Sequence, residues 1–386
     1  MKNTKIMHII TGLNTGGAER ALYNLLQGGL NTKFNSIVIS LSDKGTMGEK
    51  IEALGVSVLT LDMPVGRPTL RGVVKLRQLI KKLQPDLIQG WMYHGNLAAT
   101  LAQFFSSKNT ALVWNIRHSL YHIEDEKKLT QLVIKANRFF SKSADTLLYN
   151  SQVSRQQHEE FGFSAKHGLV IPNGINCQQF CFSVEARQRI RTELTIPLKA
   201  LVVGHIARFH PMKDHANFLQ TVVDVAKKHP NTYFLLSGPG VCLKNTEVTQ
   251  YIASSLQNRF HFLGERADVA DLMSSMDILC SSSSRGEAFP NVLGEAMATG
   301  IPCVATDVGD SALIIADCGV VAPPRNKIAL AEGVESLLNL PNEEREKLGL
   351  RARQRIEDNF KLNVIVDKYA ELYEKLRRNV EESLIK

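Results

Sequence analysis

Short apolar runs alternate with stretches of helical spacing along the whole chain. One series of runs lies near Ile6–Ile10, Ser36–Leu41, Val56–Leu61, Leu87–Met92, Ala111–Ile116 and Thr146–Tyr149. A second lies near Ala200–Ile206, Thr232–Ser237, Phe260–Leu263, Ile278–Ser281 and Pro302–Thr306. Strands separated by helical stretches predict parallel sheets covered by helices, and two series predict two such domains. The turn-forming segment Pro172-Asn173-Gly174-Ile175-Asn176 marks the junction, since Asn-Gly favours a turn. The expected domains are therefore 1–175 and 176–362, with a long last helix over about 363–386. The chain has no internal repeat and no low-complexity tract.

The segment Glu287-Ala288-Phe289-Pro290-Asn291-Val292-Leu293-Gly294-Glu295 follows the apolar run ending at Cys280, four serines and Arg285-Gly286. After it come Gly300 and the run from Pro302. The pattern predicts strand, polar loop, short helix, glycine stop, strand, with Pro290 in the first helical turn. Glu287 then sits on a loop at the carboxyl end of a strand, and Glu295 on the first turns of the helix. The N–H groups of Asn291, Val292 and Leu293 are expected to lack helical partners, which suits phosphate binding. Two carboxylates repel a phosphate, but each can accept hydrogen bonds from a vicinal diol. A ligand with phosphates in its middle and diols at both ends satisfies both demands, and a nucleotide sugar has that form. The compensating positive charge is found in Val203-Gly204-His205-Ile206-Ala207-Arg208-Phe209-His210-Pro211-Met212-Lys213-Asp214. Arg208 and Lys213 lie in the exit loop of a strand, and Lys213 precedes a helix, a poor place for a cation unless an anion is near.

With these residues in hand, the chain resembles the family 4 retaining glycosyltransferases of the GT-B fold, of the bacterial cell-surface polysaccharide type. The resemblance rests on Glu287 and Glu295 within EAFPNVLGE, on the stretch from Gly204 to Asp214, on Val170 to Asn176 followed by Phe180, and on Thr15-Gly16-Gly17-Ala18-Glu19-Arg20. It covers the chain from about Ile6 to the last helix. It implies two Rossmann-like parallel-sheet domains facing across a cleft, with the last helix crossing back to the first. It also implies transfer of a hexose-type sugar from a nucleoside-diphosphate sugar to a glycan or lipid-linked acceptor with retention, as in lipopolysaccharide, capsule or exopolysaccharide assembly. Uridine is favoured over guanosine as the base. In the implied site Arg208 and Lys213 meet the diphosphate, Glu287 holds the sugar and Glu295 the ribose. His118 contacts the sugar near the reacting centre. Gly16, Gly17, Phe289, Pro290, Asn291, Val292 and Leu293 complete the donor contacts. Retention is attributed to front-face attack, the leaving phosphate helping to take the acceptor's proton. No Asp-x-Asp motif occurs, so no cofactor and no obligatory divalent ion is expected.

Ordinary structural roles compete for each residue. Glu295 could face solvent, Glu287 could cap a loop, Arg208 and Lys213 could form surface ion pairs of little energetic weight, and His118 could be a satisfied histidine at a strand end. Rival functions are a glycoside hydrolase using the two glutamates as its acid and base, a nucleotide-sugar epimerase of the same fold, and a non-catalytic binding module.

Composition adds the surroundings. The 386 residues are 44% hydrophobic and 22% charged, ordinary for a soluble globular protein, and no apolar run approaches the roughly 20 residues of a membrane span. The basic-then-apolar start is too short for a secretory signal and reads as a first strand. The six cysteines form no CxxC pair, consistent with a reducing cytoplasm. Charge is uneven. Residues 1–180 hold 21 Lys/Arg against 12 Asp/Glu, so the whole excess of the +8 chain lies in its first half. Two clusters stand out: Arg67, Arg71, Lys75, Arg77, Lys81 and Lys82; and Lys127, Lys128, Lys135, Arg138 and Lys142, interleaved with Leu129, Leu132, Val133, Phe139 and Phe140. They are either solvated helix faces, partly packed in the core, or an attachment surface for an anionic membrane at the inner face of the cell. Nucleic acid is not an expected partner.

Overall fold

The computed structural model describes residues 4–14, 16–64 and 66–385. The chain divides into two units: the residues up to Gly174 together with those from Leu362 onward, and Ile175–Lys361.

In the first unit β1 (Lys5–Ile10), β2 (Asn35–Ser40), β3 (Ser57–Thr60), β4 (Leu87–Trp91), β5 (Ala111–Ile116), β6 (Thr146–Tyr149) and β7 (Gly168–Val170) form one sheet. Their order is β3-β2-β1-β4-β5-β6-β7, and every neighbouring pair is parallel. Strand residues alternate between faces, so Ile6 and Ile10 enter one core while Met7 and Ile9 enter the other. Leu76, Ile80, Tyr93, Ala99 and Ile134, from the helices Leu70–Leu83, Met92–Phe105 and Lys128–Phe140, cover the second face. The last helix, Leu362–Ile385, covers the first face. It buries Leu362, Ile365, Val366, Tyr369, Tyr373 and Leu376, an apolar stripe at helical spacing. Asn115 Nδ2 donates to Tyr369 Oη at 3.0 Å. The chain's last helix thus returns to its first unit.

In the second unit β8 (Leu201–Ile206), β9 (Thr232–Ser237), β10 (Phe260–Phe262), β11 (Ile278–Ser281), β12 (Cys303–Thr306) and β13 (Gly319–Ala322) are again all parallel, in the order β10-β9-β8-β11-β12-β13. Val203, Phe234, Ile278 and Val304 fill one face; Val202, Leu235, Leu279 and Cys303 fill the other. Asp277 fixes the amino ends of β8 and β11. It accepts from Val202 N at 2.7 Å and from Arg191 Nη2 at 2.8 Å, and the fully buried Arg191 spends its other donors on the carbonyls of Ser275, Leu198 and Ala200. Ile175 N donates to Phe360 O at 2.8 Å, pairing the two ends of this unit.

Strand order reverses between β8 and β11, which pair as Ile278↔Val203 and Leu279↔Gly204. Connections leave these strands in opposite directions, so their carboxyl ends border a crevice where open parallel sheets bind ligands. Sequence spacing located every strand except β7 and β13. Both are edge strands of three or four residues, each beginning with glycine, and their apolar runs Leu169-Val170-Ile171 and Val320-Val321-Ala322 are shorter than the about four to eight residues that mark a strand. Among the described residues no helix is long and apolar enough to cross a membrane.

Candidate functional site

The exit loop of β8 is built to hold one lysine in place. Ala207 N and Phe209 N donate to the carbonyls of Ser237 and Pro239, and the turn Pro211–Lys213 follows. Asp214 takes left-handed backbone, φ 49°, and its carboxylate accepts from Asn217 N at 3.2 Å, capping the helix His215–Lys228. Lys213 therefore stands directly before a helix N-terminus, where a cation is disfavoured without a counter-charge.

The exit loop of β11 supplies that counter-charge. Ser282 Oγ donates to Lys213 O at 2.8 Å and lies 3.1 Å from Asp214 O, while Ser284 N donates to Met212 O at 2.8 Å. Thr306 Oγ1 donates to Ser283 O at 2.6 Å, and Asp310 N to Ala288 O at 2.9 Å. Gly286 has φ 79°, and a β-carbon there would run into the side chain of Met212. These ties bring Glu287 against Lys213. Its Oε1 accepts from Lys213 Nζ and, at 2.7 Å, from Ser283 Oγ. Both side chains are largely but not wholly buried, 23% exposed for Lys213 and 14% for Glu287. The motif pattern assigns these two residues separate ligands; the structure pairs them.

The surrounding field is positive. His210 is held below the ordinary imidazole range by partial desolvation and by the cations Arg208, Lys213 and Arg285. Neither Arg208 nor Arg285 enters an ion pair among the described residues, and Arg208 is exposed. Arg285 is a cation that the sequence reading passed over, although it ends the same serine loop. Beneath Lys213, His205 and His215 meet edge to face with ring centroids 4.8 Å apart. Burial drives His205 well below its usual range and His215 down to about 4, with the Lys213 charge adding to both. The two buried histidines beside Lys213 are therefore neutral at physiological pH, and Lys213 is paired with Glu287.

The next helix runs Asn291–Ala298. Pro290 is its cap rather than part of its first turn, with φ −72° and ψ 94°. Leu293 N donates to Pro290 O at 3.1 Å, so the helix start presents fewer open donors than the sequence suggested. Phe289 and Leu293 point into the core, Phe289 against Phe360 with centroids 5.6 Å apart. Only their backbone is open to a ligand role. Asn291, Val292 and Glu295 are half-buried on the helix.

The remaining predicted residues belong to the first unit. Gly16 caps the helix Gly17–Leu25 after β1, and a β-carbon on it would strike the Glu19 carboxylate. Burial raises the carboxyl of Glu19 above its usual range. A β-carbon on Gly17 would meet nothing, so packing does not account for glycine there. Thr15 lies outside the described residues. His118 follows β5, its Nε2 2.8 Å from Glu126 Oε1 and its ring edge-on to Tyr93. Glu126, which fixes that ring, had no signal in the sequence beyond an acidic triplet.

A cavity of about 1140 Å³ lies elsewhere in the second unit, at the amino ends of its strands, lined by Ala200, Asp277 and Pro302 among others. It is on the opposite edge of the sheet from the Lys213–Glu287 loops.

Comparison with known proteins agrees with this layout. Residues 15–179 match the family model for Glycosyltransferase Family 4, and residues 186–355 that for Glycosyl transferases group 1. EpsF of Bacillus subtilis, assigned as a glycosyltransferase, is 24% identical over 78% of this chain and 79% of its own. The UDP-Gal:alpha-D-GlcNAc-diphosphoundecaprenol alpha-1,3-galactosyltransferase of Escherichia coli is 21% identical over 64% of each chain. The crystal structure of Anabaena HepE in complex with UDP superposes with a TM-score of 0.82, covering 96% of this chain and 100% of that one at 23% identity, a likeness of fold. With two parallel-sheet units, a returning last helix and both halves matched to glycosyltransferase models, this chain belongs to the family 4 glycosyltransferases of the GT-B fold.

Proposed function

We propose that the enzyme transfers a hexose-type sugar from UDP-sugar, in preference to GDP-sugar, to a glycan or lipid-linked acceptor with retention of configuration, in cell-surface polysaccharide assembly. The observation that carries this reading is the Lys213–Glu287 pair, flanked by Arg208 and Arg285, at the point where the strand order reverses. The names of similar proteins support it: HepE was solved with UDP and with UDP-glucose, and the Escherichia coli enzyme acts between UDP-Gal and a diphosphoundecaprenol-linked sugar.

In this mechanism Arg208, Lys213 and Arg285 meet the charge that builds on the diphosphate as the anomeric carbon–oxygen bond breaks. The Lys213 ammonium has three donors and commits one to Glu287, which leaves others for the phosphates. Glu287 receives Lys213 and Ser283 on Oε1, so Oε2 accepts the sugar hydroxyls. Glu295 takes the ribose diol, and the backbone from Phe289 to Leu293 lies along the phosphates. Gly16 and Gly17 let the first loop approach the donor closely. His118, oriented by Glu126, contacts the sugar beside the reacting carbon. The acceptor oxygen bonds to that carbon on the face the diphosphate leaves, and its proton passes to a phosphate oxygen. In this reading protein cations meet the negative charge that a divalent metal would otherwise neutralise.

Incubation with radiolabelled UDP-hexoses tests the reading. Label should move to a lipid-linked acceptor and stay in the donor when the acceptor is omitted. Free sugar released at the full rate without acceptor would indicate a hydrolase, and an epimerised donor or its free nucleotide an epimerase.

The reading extends to the cytoplasmic face of the cell membrane. On the helix Lys128–Phe140 only Ile134 and Asn137 are buried, while Leu129, Leu132, Phe139 and Phe140 are exposed. That favours an attachment surface over a packed helix. The helix Leu70–Leu83 buries Gly72, Leu76 and Ile80 and turns Arg71, Arg77, Lys81 and Lys82 outward. Each basic residue near an anionic bilayer contributes on the order of 1 kcal/mol. Co-sedimentation with liposomes should require anionic lipid and fade as salt rises. Replacing Arg71, Lys75, Lys81 and Lys82 by glutamate should abolish it without weakening UDP binding. Wild-type protein that ignores anionic liposomes at low salt would contradict membrane attachment.

A further inference from the structure

The first unit holds a cavity of about 290 Å³ that the transfer mechanism does not use. Its volume is at the lower end of small-molecule sites, about 300–1,000 Å³, and such sites are mostly apolar with a few placed polar groups. This one fits the description. Met63, Leu76, Leu97, Ala98 and Val133 form its wall. Thr11 and Ser42, at the carboxyl ends of β1 and β2, make its polar end together with His94, whose Nε2 is buried without a hydrogen-bond partner. That end adjoins the loop carrying Gly16 and Gly17. The other end opens to solvent, because Leu101 and Leu129 both line the cavity and are exposed.

The surface around the mouth is unusual for a soluble protein. The helices Leu70–Leu83, Met92–Phe105 and Lys128–Phe140 pack side by side, and they expose Leu70, Val74, Phe104 and Leu132. Exposed cations Arg67, Arg71, Lys127 and Lys128 stand among them. Exposed apolar side chains grouped in this way mark interaction sites. A partner helix would need an open groove; a narrow cavity with a polar inner end takes a single flexible chain.

We infer that this cavity binds the hydrocarbon chain of an amphiphilic phosphate, the acceptor's lipid, with the phosphate at the polar end beside His94, Thr11 and Ser42 and the chain running between the helices to the mouth. The inference rests on the lipid-linked form of the proposed acceptor. It makes the first unit selective for the lipid itself, beyond general attraction to an anionic surface.

Calorimetry with decyl phosphate, hexyl phosphate and inorganic phosphate tests it on the intact protein. Decyl phosphate should bind at least tenfold more tightly than hexyl phosphate, and inorganic phosphate should give no measurable heat. Ala98→Trp, which fills the cavity, should weaken decyl phosphate at least tenfold. So should Leu101→Asp, at the partly exposed mouth. UDP affinity should stay at the wild-type value in both. Equal binding of the two alkyl phosphates, or wild-type decyl phosphate affinity in Leu101→Asp, would overturn the inference. If UDP binding and transfer to a soluble glycan persist in that case, the transferase reading stands and only the lipid site falls.

Discussion

Lys213→Ala is expected to lower the rate of sugar transfer at least about 100-fold, the scale seen when one preorganised donor to a developing negative charge is lost. Two effects act together. The substitution removes a cation from the leaving diphosphate, and it leaves Glu287, a largely buried carboxylate facing the incoming phosphates, with Ser283 as its one remaining partner among the described residues. Arg208→Ala removes charge without exposing a carboxylate and should cost about the same factor or somewhat less. The fold should persist with a lowered melting temperature, because removing one partner of a largely buried pair leaves its carboxylate uncompensated, a cost on the order of a few kcal/mol at most where partial solvent contact remains. Steady-state kinetics with a saturating UDP-sugar, read beside a melting curve, checks this. Turnover within threefold of wild type in both variants would remove these residues from the leaving-group site.

The positions that could be read from sequence are those fixed by local rules. The buried strands announced themselves as apolar runs because parallel strands covered on both faces carry few polar residues. The carboxyl-end placement of Arg208, Lys213 and Glu287 followed from strand, loop and helix order alone. What could not be read depends on tertiary contact. Lys213 and Glu287 are 74 positions apart, and only the serine loop's bonds to Met212, Lys213 and Asp214 bring them together. Arg285 reads in the sequence as loop polarity, and only the fold sets its charge near His210. Pro290 has a φ suited to either the cap or the first turn, and its ψ of 94° puts it at the cap. Phe289 reads as part of a binding motif, yet its ring packs on Phe360. The helix 128–140 admits both a core and a surface reading in the sequence, because spacing shows that a helix has an apolar face but not what covers it.

The assigned division of labour at the second unit's site predicts that its two glutamates fail in different ways. Glu295 is placed on the ribose, which every uridine nucleotide carries. Glu287 is placed on the transferred sugar, which free UDP lacks. Glu295→Ala should therefore weaken UDP binding about tenfold, the loss of roughly 1.4 kcal/mol that a charged hydrogen bond represents. Glu287→Ala should bind UDP as well as wild type or slightly better, since it frees Lys213 and removes a negative charge beside the diphosphate. Its damage should appear in transfer, as a fall in turnover of about 100-fold or more. Isothermal calorimetry with UDP on wild type and the two variants is the most direct measurement of the central claim, that the loops after β8 and β11 form the donor site. The account predicts weakened UDP binding in Glu295→Ala and undiminished binding in Glu287→Ala. Equal losses in both, or no loss in either, would contradict it.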